Sequence, residues 1–84
     1  MMRIQIAGPG CINCTKLEDM CREAINAYHL DAQIERITER QDYSRLGVFA
    51  TPGLLINGHI VSTGRMPAYL TVEKWIKSAE ELPS

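Results

Sequence analysis

Two cysteines near the amino terminus are the residues of this sequence best suited to chemistry. Cys11 and Cys14 form a C-x-x-C pair in front of a segment with helical periodicity. Unpaired N–H groups and a partial positive charge at a helix amino terminus stabilise a thiolate, so a cysteine there has a pKa below the ~8.5 of an ordinary thiol. We therefore expect Cys11 to be a nucleophile. Cys14, more buried on the same face, is expected to attack a mixed disulfide formed at Cys11 and release the product.

The same pair allows two other readings. Thiolates bind soft metals such as Cu(I) or Zn, and small copper chaperones also carry C-x-x-C before their first helix. Their β-α-β-β-α-β order ends in a strand, whereas this chain ends in a helical pattern. A scaffold without catalysis is the other alternative. Cys21 lies in the apolar stripe of the same helix and is expected to be buried, the alternatives being a regulatory disulfide or a third metal ligand.

The elements that must position the cysteines follow the order β-α-β-α-β-β-α. The patterns predict strands over Arg3–Ala7, Asp31–Ile37, Leu54–Ile56 and His59–Val61, and helices over Cys11–Tyr28, from Thr38 to Gly47 and over Ala68–Leu82. The first two strands are joined through a helix, so we expect them to be parallel. The expected fold is one α/β domain, residues 1–84, with a four-stranded mixed sheet and helices on both faces.

Local signals support individual boundaries. Asn57-Gly58 between two apolar runs predicts a two-residue hairpin turn, because both positions need positive φ. Thr38 and Gln41 match a capping box that would open the second helix. The charged character of the second strand predicts a sheet edge.

Composition narrows the class of partner. The net charge is −1 and no run of five basic residues occurs, which argues against a nucleic-acid partner. No apolar run approaches the roughly 20 residues needed to span a membrane, and the amino terminus does not match a secretory signal. A small secreted domain stabilised by disulfide bonds usually has a larger, even number of cysteines, whereas this chain has three. We therefore expect a cytoplasmic protein. A monomer is the default expectation, because the sequence gives no strong signal for an oligomer.

These motifs together resemble the small thioredoxin-like redox-active disulfide proteins of archaea and bacteria. The matching stretches are Gly8-Pro9-Gly10-Cys11-Ile12-Asn13-Cys14, Thr51-Pro52-Gly53-Leu54-Leu55-Ile56-Asn57-Gly58 and Gly64-Arg65-Met66-Pro67, followed by a helix that carries Trp75. The resemblance spans nearly the whole chain and implies a thioredoxin fold and thiol–disulfide exchange. It implies no cofactor, a protein disulfide as substrate and a thioredoxin reductase-like electron donor.

The resemblance also implies roles for residues outside the dithiol. The Thr51–Pro52 bond should be cis and beside the dithiol, with an ordinary trans proline as the alternative. The Thr51 backbone should pair with the substrate as an added strand, next to Ile12 and Asn13. Arg65 is either a docking residue for the partner or a solvated arginine.

Three features depart from the family pattern. The tryptophan that precedes the dithiol in ordinary thioredoxins is replaced here by Gly-Pro-Gly, and the spacer between the cysteines is Ile-Asn. The first strand carries no acidic residue to accept a proton from Cys14, so water is the expected acceptor.

Overall fold

Within the residues that the structure describes, seven elements form in the predicted order. The structure, a computed structural model, describes residues 1–9 and 12–81 of the chain. The elements are β1 (Met2–Ala7), α1 (Ile12–Ala27), β2 (Ala32–Ile37), α2 (Arg40–Leu46), β3 (Gly53–Ile56), β4 (His59–Thr63) and α3 (Tyr69–Glu81). The predicted helix end at Leu82 lies outside the described residues.

The four strands form one mixed sheet in the order β2-β1-β3-β4. β1 and β2 are parallel, with Ile4 opposite Ile34, and β1 and β3 are antiparallel, with Ile4 opposite Ile56. β3 and β4 form the antiparallel hairpin. The parallel pair, the hairpin and the edge position of the charged β2 are therefore confirmed.

The larger core lies between one face of the sheet and two helices. Alternate residues of β1, Ile4 and Ile6, are fully buried on this face because successive strand side chains point to opposite sides. Helices α1 and α3 pack against each other over them. The apolar residues that complete this core are Met2, Cys14, Leu17, Cys21, Ala24, Leu54, Ile56, Val72 and Ile76.

The opposite face carries a smaller core under α2. Ala7, Val48 and Leu55 are buried there, with Tyr43 and Leu46 of α2 packed against them. The helices therefore cover both faces, as expected. This smaller core lies at the carboxyl end of β1, the end from which the chain enters the C-x-x-C segment.

The hairpin turn matches its prediction in detail. Asn57 and Gly58 have φ angles of 52° and 84°, as a type I′ turn requires. The Asn57 side chain also accepts a hydrogen bond from the Arg3 N–H (2.9 Å), and the Asn57 N–H donates to the Arg3 carbonyl oxygen (2.7 Å). The turn is thereby tied to the start of β1.

The predicted capping box at α2 is wrong. The N-cap is Glu39, and its side chain makes no capping hydrogen bond. With the helix beginning one residue later than expected, Gln41 is the second helical residue and not the third, so it is no longer at the position from which a capping box reaches back. The carboxyl end at Gly47 does match, with φ of 86° in the left-handed region.

Helix α1 ends one residue before the predicted Tyr28. The Leu30 N–H donates to the Ile25 carbonyl oxygen (3.0 Å) and the His29 N–H to that of Asn26 (3.4 Å), the paired bonds of a Schellman ending. His29 adopts the left-handed φ of 53° at the position where glycine is usual. Tyr28 therefore leaves the core stripe and lies partly exposed, with the Lys77 amine 5.0 Å from its ring centre.

Candidate active site

Cys14 lies in the first turn of α1 and is fully buried. Its neighbours Ile12 and Asn13 are exposed, Ile12 to 73%. The predicted nucleophile, Cys11, lies outside the described residues, and so does Gly10. Within the described part of the first turn, the sulfur of Cys14 therefore faces inwards and the two spacer residues face solvent.

The Cys14 sulfur packs directly against the backbone that follows β1. A Cβ atom added to Gly8 would overlap Cys14 Sγ and would stand 3.3 Å from Cys14 Cβ. The Gly8 N–H donates to the Ile37 carbonyl oxygen (2.9 Å), which continues the β1–β2 ladder by one residue. The absence of a side chain at Gly8 thus makes room for the sulfur at the carboxyl end of the parallel strands.

Thr51 also lies close to Gly8, and Pro52 follows it. Thr51 Cβ is 4.0 Å from the Cβ position of Gly8, and the Thr51–Pro52 peptide bond is cis. Pro52 is buried and Thr51 is exposed. The structure therefore brings Cys14 and the Thr-Pro segment together around Gly8, although 37 positions separate Cys14 from Thr51 in the sequence.

The segment at Gly64 contacts the Thr-Pro loop. The Gly64 N–H donates to the Pro52 carbonyl oxygen (3.0 Å). A Cβ atom on Gly64 would stand 2.9 Å from Ala50 Cβ, and the φ of Gly64 is 71°. Both the close contact and the left-handed backbone require glycine here.

Arg65 is exposed and lines a groove away from Thr51. That groove runs along β4 and includes Met66, Pro67 and Trp75, with a volume of about 450 Å³. It does not include Thr51. A role for Arg65 in docking stays a prediction.

A second groove of about 450 Å³ borders Thr51 on the side of α2. It is lined by Pro9, Arg40, Tyr43, Ser44, Val48, Phe49, Ala50 and Thr51. Arg40, Phe49 and the contact at Gly8 were not predicted from the sequence. A glycine directly after a strand is a signal of close backbone approach that could have identified Gly8.

Cys21 differs chemically from an exchanging thiol. It is fully buried, as predicted, and it is a free cysteine. Burial, with a smaller contribution from the Glu18 carboxylate, raises the pKa of the Cys21 thiol to about 12. A thiol that stays protonated at neutral pH is a poor nucleophile, so Cys21 serves the core.

The metal-binding alternative would need a cluster of ligand side chains. In residues 1–9 and 12–81, no three His, Cys, Asp or Glu side chains cluster as ligands for a metal ion. Over the same part of the chain, no helix combines the length and the apolar character that crossing a membrane requires.

Comparison with known proteins gives one consistent assignment. A family model described as a thioredoxin domain matches residues 2–77. The thioredoxin of Methanothermobacter thermautotrophicus is 39% identical over 74 residues, which cover 88% of this chain and 96% of that protein. The thioredoxin of Methanocaldococcus jannaschii is 30% identical over 78 residues, which cover 93% of this chain and 90% of that protein. The chain therefore belongs to the thioredoxin family, whose general activity is thiol–disulfide exchange.

Proposed function

We propose that this chain reduces disulfide bonds in proteins, with Cys11 as the nucleophile and Cys14 as the resolving cysteine. The observation that carries the proposal is the packing of Cys14 Sγ against Gly8, next to Thr51 and the cis Pro52. Cys14 is a buried thiol in the first turn of a helix, close to the exposed residue Thr51. This position suits the second step of exchange, in which a thiol attacks the mixed disulfide.

The proposed reaction has two steps. The Cys11 thiolate attacks one sulfur of the substrate disulfide; the substrate S–S bond breaks, and one substrate thiolate leaves and takes a proton. The Cys14 thiol then loses its proton to water and attacks the Cys11 sulfur. The second substrate thiol is released, and Cys11 and Cys14 are left joined as a disulfide.

The surroundings supply the substrate surface in this proposal. The backbone of the exposed residue Thr51 would pair with an extended substrate segment, while Ile12 and Asn13 would contact the region beside its cysteine. Two electrons from a thioredoxin reductase-like donor would restore the dithiol. The relatives are named thioredoxins, which supports such a cycle. We expect the protein to act in the cytoplasm, as a monomer and without a cofactor.

Single-cysteine variants test the proposal. Cys11→Ser should abolish reduction of insulin in the presence of dithiothreitol, because the attacking sulfur is gone. Cys14→Ser should trap a mixed disulfide with the substrate, visible as a mass increase that dithiothreitol removes. Cys21→Ala is the matched control and should retain the activity of the parent.

Two outcomes would overturn the proposal. One is full activity of Cys11→Ser; the other is a Cys11 thiol that titrates near ~8.5 with no trapped adduct in Cys14→Ser. Stoichiometric, tight binding of Cu(I) or Zn²⁺ by the reduced protein, together with absent reductase activity, would favour the metal-binding alternative.

A further inference from the structure

The groove on the α2 side of Thr51 has a composition that the exchange reaction itself does not require. The groove is lined by Pro9 and Thr51, which neighbour the dithiol segment, and also by Arg40 and Phe49. A substrate chain paired with the Thr51 backbone would have side chains within this groove. The side chains that bind best in this groove therefore influence which substrate disulfides reach the cysteines.

Phe49 is an apolar anchor without a structural role in the described protein. Its side chain is 91% exposed, while the neighbouring Val48 is 3% exposed and fills the smaller core. An aromatic ring left in water beside a groove is typical of a protein contact, because burying it there removes apolar surface from water. Phe49 therefore indicates an apolar partner side chain.

Arg40 is a cation that nothing in the described protein neutralises. It is the first residue of α2, where the helix dipole disfavours positive charge. The nearby Asp42 carboxylate pairs with Arg45, and Glu39 is adjacent in sequence, so it does not face Arg40 along the helix. In the part of the chain that the structure describes, Arg40 has no ion pair.

These observations point to the charge of the partner. We propose that the groove selects disulfide-bearing protein segments that carry a carboxylate close to the reacting cysteine, with Arg40 as its counter-ion and Phe49 as its apolar contact. The proposal rests on the proposed reductase function and names the substrate class of that same site. An exposed cation that is unfavourable for its own helix is explained if its partner is another protein.

Three disulfide-linked peptide dimers test the preference. They differ only in the residues flanking the cysteine, which are Glu, Gln or Lys, and kcat/KM is measured for each at low salt. Parent protein should reduce the Glu dimer about two- to fivefold faster than the Lys dimer, as expected for one exposed ion pair. The ratio should fall towards one as added salt screens the charges.

Variants assign the preference to the groove. Arg40→Glu should invert the order, so that the Lys dimer is preferred. Arg45→Glu is the matched control, since it makes the same charge change on the same helix without lining the groove; it should keep the order of the parent. Phe49→Ala should lower kcat/KM for all three dimers alike. Thermal melts should show that Arg40→Glu is at least as stable as the parent, because the dipole favours an acid there.

A small uncharged disulfide, hydroxyethyl disulfide, distinguishes failure of the groove proposal from failure of the reductase proposal. If it is reduced normally while the peptide dimers show no charge preference, or if Arg45→Glu inverts the order as Arg40→Glu does, the groove proposal is overturned and the reductase function stands. If parent protein reduces neither hydroxyethyl disulfide nor any dimer, the reductase function itself fails.

Discussion

At the scale of single residues, Gly8 limits the position of the Cys14 sulfur. The backbone at Gly8 and the sulfur of Cys14 occupy space that any side chain at position 8 would need. The site therefore requires glycine at position 8 for steric reasons. The same holds for Gly64, which contacts the Thr-Pro loop.

Gly8→Ala should therefore impair function and stability together. The added methyl group must displace Cys14 Sγ, and overpacking of this kind costs about 1–3 kcal/mol in the free energy of unfolding. We expect a loss of more than about tenfold in insulin reduction per folded molecule, since misplacement by about 1 Å costs ~10²-fold in reactions that depend on orientation.

Gly58→Ala is the control for this experiment. Gly58 has a φ of 84° but open space around its Cβ position, so alanine there strains the hairpin without touching the site. Urea titrations should show both variants to be destabilised, whereas only Gly8→Ala should lose specific activity. Equal specific activity in the two variants would contradict the steric role of Gly8.

At the scale of elements, Glu18 joins α1 to the edge strand β2. Its carboxylate contacts Arg22 of the same helix (2.6 Å) and Arg36 of β2 (3.1 Å). The hydrogen bonds from Arg22 and then Arg36 hold the pKa of Glu18 below its ordinary value of 4.5. A lowered pKa in the folded state means that the pairing stabilises the protein above about pH 4.5 and that this contribution is lost as the pH falls through the folded pKa.

Glu18→Gln should cost about 0.5–1 kcal/mol of unfolding free energy at pH 7, the range expected for a partly exposed ion pair. The difference from the parent should shrink as the pH is lowered below 4.5, because the parent then carries a neutral carboxyl as well. Asp19→Asn, exposed on the same helix, is the control and should change little. A cost for Glu18→Gln that persists unchanged at low pH would show that packing, not charge, is responsible.

At the scale of the whole molecule, the larger core contains a protonated thiol whose ionisation opposes folding. Cys21 is fully buried between α1 and the sheet. Its pKa is raised from 9.0 to about 12, so the folded state holds this proton more tightly than the unfolded state. The linked stability is complete below about pH 9 and decreases as the pH rises towards 12, at a slope of up to ~1.4 kcal/mol per pH unit.

Cys21→Ala should flatten this alkaline decrease. Urea unfolding of oxidised parent and variant at several pH values between 8 and 10.5, chosen to bracket the ordinary pKa of 9.0, measures the difference directly. The variant should be less stable at pH 8 because it leaves a cavity, and the two curves should converge as the pH rises. Parallel curves would contradict the protonated state assigned to Cys21.

Local patterns predicted much of the architecture. The alternation in β1, the apolar stripes of α1 and α3 and the Asn57-Gly58 turn each specify a local conformation, and all of these formed. The errors fall at helix ends. The capping box predicted at Thr38 did not form, and the N-cap is Glu39, one residue later. The choice between neighbouring N-caps depends on how the chain leaves β2 and not on the motif alone.

The sequence by itself determined the order of the elements, the mixed sheet and Cys14 as a buried residue at the start of a helix, because these depend on periodicity and short-range turn chemistry. The family resemblance, not the pattern, connected Thr51 and Pro52 with the dithiol. Only the tertiary structure decided that Gly8 lies close to both Cys14 and Thr51 and that Arg40 and Phe49 share a groove with Thr51. Such contacts join residues far apart in the chain, and they depend on strand register and on the face of the sheet to which each helix returns.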